Sequence, residues 1–315
     1  MSTKTRLLET NCFILMTISL VTGGAGFIGS HIVEQLLSMN HEVVVVDNEY
    51  SDNDKFHWRK ETYNVNIDIT DKALKNAFTN VDYVFHCAAE ARIGPAIKNP
   101  VNAVNINTLG TCNVLQCARE AGVKKVMYSS TSSGYGLNSS PNVETQPDDC
   151  LNPYSVSKVA GEKICKMYTD LFGLKTVIFR YFNVFGERAP RKGQYAPVIG
   201  IFLRQLASGE KLTIVGDGEQ RRDFIYVKDV ARANIMAAIS NADDEAYGQV
   251  YNVGFGKNYS VNDIASFISN DTINIPPRVG EARNSLANID KINKTFAWKP
   301  EVSVEDWIKE QLNGK

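Results

Sequence analysis

Three glycines spaced three residues apart, Gly23, Gly26 and Gly29, stand between a short apolar segment and a helix-like segment. Residues 17–22 have the composition of a buried strand, and residues 27–39 have the apolar period of a helix. Glycines at such a turn let the backbone approach a ligand closely, and the start of the helix offers unpaired N–H groups to an anion. This feature predicts a strand, turn and helix that hold the pyrophosphate of a dinucleotide.

The alternation of strand-like and helix-like segments continues as far as residue 180. Continuous apolar runs such as 43–46 are typical of parallel strands that helices cover on both faces. We predict strands at 17–22, 42–47, 65–67, 83–86, 125–129 and 176–180, and helices at 27–39, 71–78, 101–121 and 154–172. This order predicts an α/β fold built on a doubly wound parallel sheet, the Rossmann arrangement.

After residue 180 the pattern loosens, and glycine and proline recur. Short helices are predicted near 197–207, 227–240, 261–268 and 304–312. We expect residues 16–180 to form the dinucleotide-binding domain, with 226–253 returning to it. Residues 181–225 and 254–315 are expected to form a smaller, loop-rich C-terminal lobe that binds substrate, and residues 1–15 an N-terminal extension.

Charge and cysteine usage exclude several classes of protein. The chain has 34 Lys and Arg against 35 Asp and Glu, so it has no basic surplus for a nucleic-acid backbone. No apolar run is long enough to span a bilayer. The six cysteines form no C-x-x-C pair, and the four histidines lack zinc-ligand spacing. We therefore expect a cytoplasmic protein with reduced thiols, no metal, and neither nucleic acid nor membrane as a partner.

An acidic residue at the end of the second predicted strand favours one dinucleotide. Asp47 stands where a carboxylate accepts hydrogen bonds from the ribose diol of adenosine. A negative charge there repels a 2′-phosphate, so the residue favours NAD over NADP. A glycine-rich turn that binds nothing is the alternative interpretation.

A tyrosine and a lysine, Tyr154 and Lys158, lie one turn apart on a predicted helix. A solvated helix face is the alternative, but this helix follows the strand that ends in Ser129, Ser130 and Thr131. That strand end belongs to the carboxyl edge of the sheet, where open α/β folds bind ligands. A nearby ammonium would lower the pKa of the tyrosine from about 10 and make it a general base.

These motifs together resemble the extended short-chain dehydrogenase/reductase family. The resemblance covers residues 16–312 and includes the segments 152–154, 180–186, 216–224 and 298–300. Within the family, the sequence is most similar to nucleotide-sugar 4-epimerases of the UDP-glucose and UDP-N-acetylglucosamine type. The resemblance implies NAD as cofactor, a UDP-sugar as substrate, and a homodimer paired through the helices at 101–121 and 154–172.

The resemblance also implies roles for individual residues. Thr131, Tyr154 and Lys158 would be catalytic. The cofactor would contact Gly23, Gly26, Phe27, Ile28, Gly29, Asp47, Asn48, Asp68, Ile69, Ala88, Ala89, Asn107, Ser129, Tyr154, Lys158 and Tyr181. The substrate would contact Glu90, Thr131, Asn183, Val198, Gln220, Arg222, Arg278 and Ser285. For Arg222 and Arg278 an ordinary ion pair is the alternative, and for Glu90 a solvated position in a loop.

The residues after Thr131 distinguish among the reactions of the family. The family's 4,6-dehydratases carry an Asp-Glu pair there and its decarboxylases a Glu two places on, whereas this chain has Ser132 and Ser133. The resemblance therefore favours inversion at C4 through a transient 4-keto sugar. A decarboxylase, a dehydratase and a non-catalytic dinucleotide-binding protein are the alternatives. By the same resemblance, Ser285 replaces a bulky tyrosine of epimerases restricted to unacetylated hexoses, which predicts room for an N-acetyl group. The alternative is that Ser285 is a small loop residue away from the sugar.

Overall fold

The computed structural model describes residues 16–51, 55–190, 197–277 and 283–314. Its strands are β1 (Ile18–Thr22), β2 (Glu42–Asp47), β3 (Tyr63–Asn66), β4 (Tyr83–His86), β5 (Lys125–Thr131), β6 (Lys175–Tyr181), β7 (Asn183–Phe185), β8 (Leu212–Val215), β9 (Arg221–Tyr226), β10 (Gln249–Val253), β11 (Asn258–Ser260) and β12 (Thr272–Ile275). Seven of them form a parallel sheet in the order β10-β6-β5-β4-β1-β2-β3. The predicted doubly wound α/β fold is confirmed.

The α-helices are α1 (Phe27–Ser38), α2 (Ile93–Lys98), α3 (Pro100–Val104), α4 (Thr111–Glu120), α5 (Pro153–Phe172), α6 (Val198–Ala207), α7 (Val227–Ile239), α8 (Val261–Ser266), α9 (Asp290–Phe296) and α10 (Val304–Asn313). The single helix predicted at 101–121 is wrong in detail. Its middle, Asn105–Gly110, is a π-helical segment that joins α3 to α4. π-helical turns are rare and often occur at functional sites, and apolar periodicity does not reveal them.

Strand β2 shows why the sheet is buried on both faces. Val43 and Val45 pack into a core beneath α1 and α7, whereas Val46 packs into a second core beneath α4 and α5. Because successive side chains of a strand point to opposite faces, each face requires its own apolar residues. The continuous valine run of the sequence follows from this arrangement.

The remaining strands form two smaller sheets on the C-terminal side. β11, β9 and β7 make a mixed sheet, and β8 pairs with β12. A third core fills the space between these sheets and helices α6, α8 and α10, with Phe202, Phe185 and Trp307 among its buried aromatic residues. β10 nevertheless lies at the edge of the large sheet beside β6. The division into two functional lobes stays a prediction.

Three further findings concern the described ranges only. No helix there is both long enough and apolar enough to cross a lipid bilayer. No group of three or more His, Cys, Asp or Glu side chains in the same ranges is placed to hold a metal ion. The five cysteines described are unpaired thiols.

Candidate active site

A cavity of about 750 Å³ opens at the carboxyl ends of β1, β2, β4 and β5. This volume is in the range of cofactor and ligand sites. Many residues assigned to the cofactor from the sequence line it: Gly23, Gly26, Phe27, Ile28, Gly29, Asp47, Asn48, Asp68, Ile69, Ala88, Ala89 and Ser129. The folded chain thus gathers them into one concave wall.

The glycine-rich turn lies close to two other backbone segments. Gly23 has φ +67°, and a Cβ atom there would lie 2.7 Å from the Ala88 nitrogen. A Cβ atom on Gly29 would lie 2.2 Å from the Gly23 carbonyl oxygen. A larger residue at Gly23 or Gly29 would push the turn away from helix α1. The first residues of α1 line the cavity, where their N–H groups can meet an anion. The turn has the shape that a pyrophosphate requires.

Asp47 is held at the end of β2 by backbone donors. Its carboxylate accepts hydrogen bonds from the Ala25 nitrogen at 3.0 Å and from the Glu49 nitrogen at 2.9 Å. Burial raises the pKa of Asp47, and these two hydrogen bonds oppose the rise. Nearby, Asn48 donates to Asp68 at 2.7 Å. These acceptors line one part of the cavity and could hold an unphosphorylated ribose.

Capping residues fix the start of helix α5 and therefore the position of Tyr154. The Asn152 side chain accepts from the Ser155 nitrogen at 3.0 Å, and the Ser155 side chain completes a capping box. Pro153 occupies the first turn, where it loses no hydrogen bond. Tyr154 therefore emerges in the first turn of α5, beside the end of β5.

The end of β5 brings Thr131 to the same place. Its side chain accepts from the Ser133 nitrogen at 3.1 Å, which fixes the short 3-10 turn that follows the strand. The Thr131 hydroxyl also lies close to the Tyr154 phenol and lowers its pKa. Thr131 and Tyr154 thus form one polar pair, as their assignment to a common site requires.

The ionisation of this pair differs from the sequence-based expectation. Burial raises the pKa of Tyr154, Glu90 adds to the rise, and Thr131 opposes it. The expected lowering by Lys158 is wrong for the chain without cofactor. Lys158 is itself only 2% exposed, and burial lowers its pKa to about 8. Loss of hydration is the largest cause of both shifts, and neither residue is among the groups that shift the pKa of the other.

Asn107, in the π-helical segment, ties the cavity wall to α5. Its side chain accepts from the Glu90 nitrogen at 2.9 Å and donates to the Glu90 carbonyl oxygen at 3.0 Å. The same amide donates to the Ser157 hydroxyl at 2.9 Å, which in turn donates to the Tyr154 carbonyl at 2.8 Å. Asn107 does not line the cavity itself. It fixes the Glu90 segment against the turn of α5 that carries Tyr154.

Glu90 is not the solvated loop acid that the sequence allowed as an alternative. It is 3% exposed and lines the cavity. Its carboxylate accepts from the Arg92 nitrogen at 3.2 Å, and the Arg92 guanidinium lies 3.9 Å from it. Glu90 is thus a buried acid of the cavity wall.

Several residues assigned to substrate lie away from the cavity wall. Asn183 donates to the Asp223 carbonyl at 3.0 Å, and Gln220 donates to the Val215 carbonyl at 3.1 Å. Arg222 contacts the Arg221 carbonyl at 3.0 Å. Arg278 lies outside the described residues.

Three other residues assigned to substrate or cofactor make contacts outside the cavity wall. Val198 is the first residue of α6, next to Pro197, which does line the cavity. The Ser285 nitrogen donates to the Arg221 carbonyl at 3.1 Å, and its hydroxyl is buried without a hydrogen-bond partner among the described residues. The Tyr181 hydroxyl bonds Ser129 at 3.1 Å and lies behind the wall.

The sequence reasoning missed a buried ion pair under the catalytic turn. Glu162 accepts from Ser130 at 2.5 Å and from Arg180 at 2.9 Å, and both charged side chains are fully buried. Glu162 lies one helical turn after Lys158 on α5. This spacing could have indicated that Glu162 lies near the candidate catalytic residues. The cavity residues Tyr50, Cys87 and Arg92 were also missed.

Comparisons with known proteins agree with this geometry. Residues 19–254 match the family described as the NAD dependent epimerase/dehydratase family. A putative UDP-glucose 4-epimerase of Methanocaldococcus jannaschii is 40% identical over 93% of this chain and 97% of its own. A UDP-N-acetyl-alpha-D-glucosaminuronate decarboxylase of Bacillus cytotoxicus is 35% identical over 93% and 96%.

Solved structures give the same picture. The UDP-N-acetylglucosamine 4-epimerase of Methanobrevibacter ruminantium, in complex with UDP-N-acetylmuramic acid, superposes with a TM-score of 0.87. It is 33% identical and covers 95% of this chain and 97% of its own. The similarity therefore extends over nearly all of both chains.

Proposed function

The chain belongs to the NAD-dependent epimerase/dehydratase family, and from this premise we propose that it is a nucleotide-sugar 4-epimerase. It would invert C4 of a UDP-hexose or a UDP-N-acetylhexosamine through a transient 4-keto sugar. The observation that carries the proposal is the Thr131 and Tyr154 pair beside Lys158, followed by Ser132 and Ser133 instead of carboxylates. This set of groups suits chemistry at C4 alone.

The residues of the cavity fit the cofactor of the family, NAD. Gly23 and Gly29 leave the space that a side chain would fill, and Asp47 supplies acceptors for the ribose. We assign the pyrophosphate to the start of α1 and the adenosine to the region of Asp47 and Asp68. NAD supplies a hydride acceptor and donor for the sugar carbon. We expect it to remain with the purified protein, because inversion returns the hydride.

Side chains of the protein would transfer the proton of the sugar 4-hydroxyl. Thr131 would hold the 4-hydroxyl, and the phenolate of Tyr154 would accept its proton. Lys158, nearly excluded from water, would orient the cofactor ribose and stabilise negative charge on Tyr154. The 4-keto sugar would turn over, and Tyr154 would return the proton to the oxygen.

The relatives include enzymes of a second reaction type, since the Bacillus cytotoxicus protein is a decarboxylase of a uronate. Decarboxylation and 4,6-dehydration both need an acid or base beyond C4. The 3-10 turn after Thr131 offers the hydroxyls of Ser132 and Ser133 at the positions where those enzymes carry carboxylates. This favours epimerisation over both alternatives.

Acceptance of N-acetyl sugars is part of the proposal. By the resemblance, Ser285 occupies the position of a bulky tyrosine in restricted epimerases; in the described structure its hydroxyl is buried and it does not line the cavity wall. The similarity to a UDP-N-acetylglucosamine 4-epimerase supports the same preference. We therefore propose that UDP-N-acetylglucosamine and UDP-N-acetylgalactosamine are substrates, alongside UDP-glucose and UDP-galactose.

A homodimer in the cytoplasm completes the proposal. The helical segments 100–120 and 153–172 present large apolar side chains to solvent, among them Leu109 at 58% and Leu171 at 70% exposure. Val114 and Leu115 on the same segment are fully buried against the sheet and are not available for pairing. A two-fold pairing of these helices would cover the exposed residues.

Product analysis tests the reaction type directly. The purified protein is incubated separately with UDP-glucose, UDP-N-acetylglucosamine, their glucuronate analogues and GDP-mannose, and the sugars are identified by NMR. Epimerisation gives the C4 epimer without net change of NAD. A 4-keto-6-deoxy sugar identifies a dehydratase, and loss of the C6 carbon identifies a decarboxylase. Tyr154→Phe is the matched inactive control.

A further inference from the structure

The charged residues of the cavity are distributed unevenly. Within the described ranges its wall holds Asp47, Asp68, Glu90, Arg92 and Lys98. Asp47 and Asp68 follow β2 and β3, at the adenosine end. Glu90 follows β4, and its charge raises the pKa of both Tyr50 and Tyr154, so it lies near both side chains. Because Glu90 is the acid of the cavity wall that shifts the pKa of Tyr154, a sugar held by Thr131 and Tyr154 would lie nearest to Glu90.

The position of Glu90 is fixed from three directions. Its backbone N–H and carbonyl both bond the Asn107 side chain, and Asn107 reaches the Tyr154 turn through Ser157. Its carboxylate accepts from the Arg92 backbone nitrogen at 3.2 Å. With 3% exposure, the carboxylate has little room to turn away into water.

The Glu90 charge acts on the catalytic tyrosine. Among the groups that shift the pKa of Tyr154, Glu90 is the charged one, and it raises that pKa. Thr131 faces the phenol from β5 and acts in the opposite direction. A carboxylate whose field reaches the phenol also reaches the sugar carbons next to the atom that the phenol serves.

Inversion at C4 would bring the C5 substituent of the sugar near the Glu90 carboxylate. C5 is bonded to C4, so the substituent on C5 lies near the oxygen that Thr131 and Tyr154 hold. Inversion at C4 requires the 4-keto ring to present its other face, which exchanges the sides of the C3 and C5 substituents. The C5 substituent therefore takes two positions during one turnover, and a carboxylate there would come within the field of Glu90.

We propose that Glu90 makes this site select nucleotide sugars with a neutral group at C5 and reject uronates, which carry a carboxylate there. The inference rests on the proposed 4-epimerase function and narrows its substrate class to neutral hexoses and N-acetylhexosamines. Two like charges in a pocket with little water repel each other strongly, and such repulsion is a common means of excluding a wrong substrate. A hydroxymethyl group can instead donate a hydrogen bond to Glu90.

The Arg92 guanidinium is the cavity group that would attract a uronate instead of rejecting it. Its guanidinium lies 3.9 Å from the Glu90 carboxylate and is 28% exposed, so it is a possible partner for a sugar carboxylate. Its engagement with Glu90 opposes that use, because a uronate would have to displace one acid with another. Arg92→Gln therefore belongs in the experiment, since it separates rejection by Glu90 from capture by Arg92.

The test compares an acid with its neutral isostere. Binding of UDP-glucuronate and UDP-glucuronamide to the NAD-loaded protein is measured by calorimetry, and turnover of UDP-glucose and UDP-glucuronate is measured in parallel. We expect the wild type to bind the amide at least about tenfold more tightly than the acid, which corresponds to about 1.4 kcal/mol. Glu90→Gln should reduce that preference about tenfold, and the turnover ratio should shift in the same direction.

The control variant Asp170→Asn removes one negative charge from α5 at about 24 Å from Tyr154 along the helix and should leave the preference unchanged. Equal binding of acid and amide by the wild type overturns the proposal without any variant. So does a preference for the acid that Arg92→Gln abolishes. If the wild type turns over no UDP-sugar, the proposed function fails, and the binding measurement still decides the role of Glu90.

Discussion

The Lys158 ammonium lies 4.3 Å from the centre of the Tyr128 ring, on a side chain that is almost completely excluded from water. Tyr128 in turn donates to the Lys158 carbonyl at 3.1 Å. The ring offers weak compensation for lost hydration, and the pKa of Lys158 falls to about 8. The charged form of Lys158 is therefore destabilised in the folded protein without cofactor. In the proposed function, this charge would interact with the bound cofactor.

The first prediction concerns stability and pH in the NAD-free protein. Lysine has a pKa of 10.5 when exposed and about 8 here, so the folded chain disfavours the charged form. The free energy of unfolding should be lowest below pH 8 and rise as the pH increases from 8 toward 10.5. Lys158→Met should remove this slope and stabilise the NAD-free protein by about 2 kcal/mol at pH 7.

Urea titrations of the NAD-free protein at pH 7 and pH 9.5 measure both effects. Lys166→Met is the matched control, because Lys166 lies on the same helix, is exposed, and pairs with Asp170 at 2.8 Å. NAD affinity of Lys158→Met should fall even as its stability rises. An unchanged pH slope in Lys158→Met would show that its burial has no energetic consequence.

The second prediction concerns the general base. Tyr154→Phe should lower kcat by about 10²- to 10⁴-fold, because it removes the proton acceptor but almost no volume. Affinities for NAD and UDP-glucose should change by less than about threefold. Because the pKa of Tyr154 is raised, kcat/KM of the wild type should increase with pH on the alkaline side.

Steady-state kinetics and calorimetry on the same preparations check this prediction. Tyr168→Phe is the control, since Tyr168 lies on the same helix and its hydroxyl donates to Gln116 at 2.9 Å, away from the cavity. A loss of activity below tenfold in Tyr154→Phe would assign proton transfer to another group.

The third prediction concerns sugar size. Ser285→Tyr should abolish turnover of UDP-N-acetylglucosamine while retaining turnover of UDP-glucose, because added bulk affects only the sugar that needs the space. Ser285→Ala should change neither, since the hydroxyl has no hydrogen-bond partner within the described ranges. Initial rates with both sugars measure the selectivity. An equal loss for both sugars in Ser285→Tyr, or rejection of N-acetyl sugars by the wild type, would exclude Ser285 as the gate.

The fourth prediction concerns assembly. Leu109→Glu or Leu171→Glu should convert the expected dimer into a monomer, because each places a charge on an exposed apolar position of the proposed interface. Ile273→Glu is the control, because Ile273 is half exposed on β12, remote in sequence from those helices. Sedimentation velocity at micromolar concentration distinguishes the two states. A wild type that sediments as a monomer would refute the proposed dimer.

Much of the cofactor wall could be predicted from the sequence because its signals are local. The turn at Gly23 needs a positive φ and a close approach to Ala88, and glycine is the residue that permits both. Asp47 ends a strand whose apolar pattern is unmistakable, so its place at the sheet edge follows from the strand itself. Thr131 and Tyr154 end a strand and begin a helix, and the capping box at Asn152 is also a local feature.

Glu90 and Lys158 show what only the tertiary structure decided. No local pattern distinguishes a buried acid from a solvated one, because burial depends on segments that are distant in the chain. Asn107, which also bonds Ser157, holds the Glu90 backbone, and Tyr128 covers Lys158. The charge of an ionisable group depends on the hydration that these neighbours remove. The sequence therefore determined which residues meet at the sheet edge, and packing determined which of their charged groups are withdrawn from water.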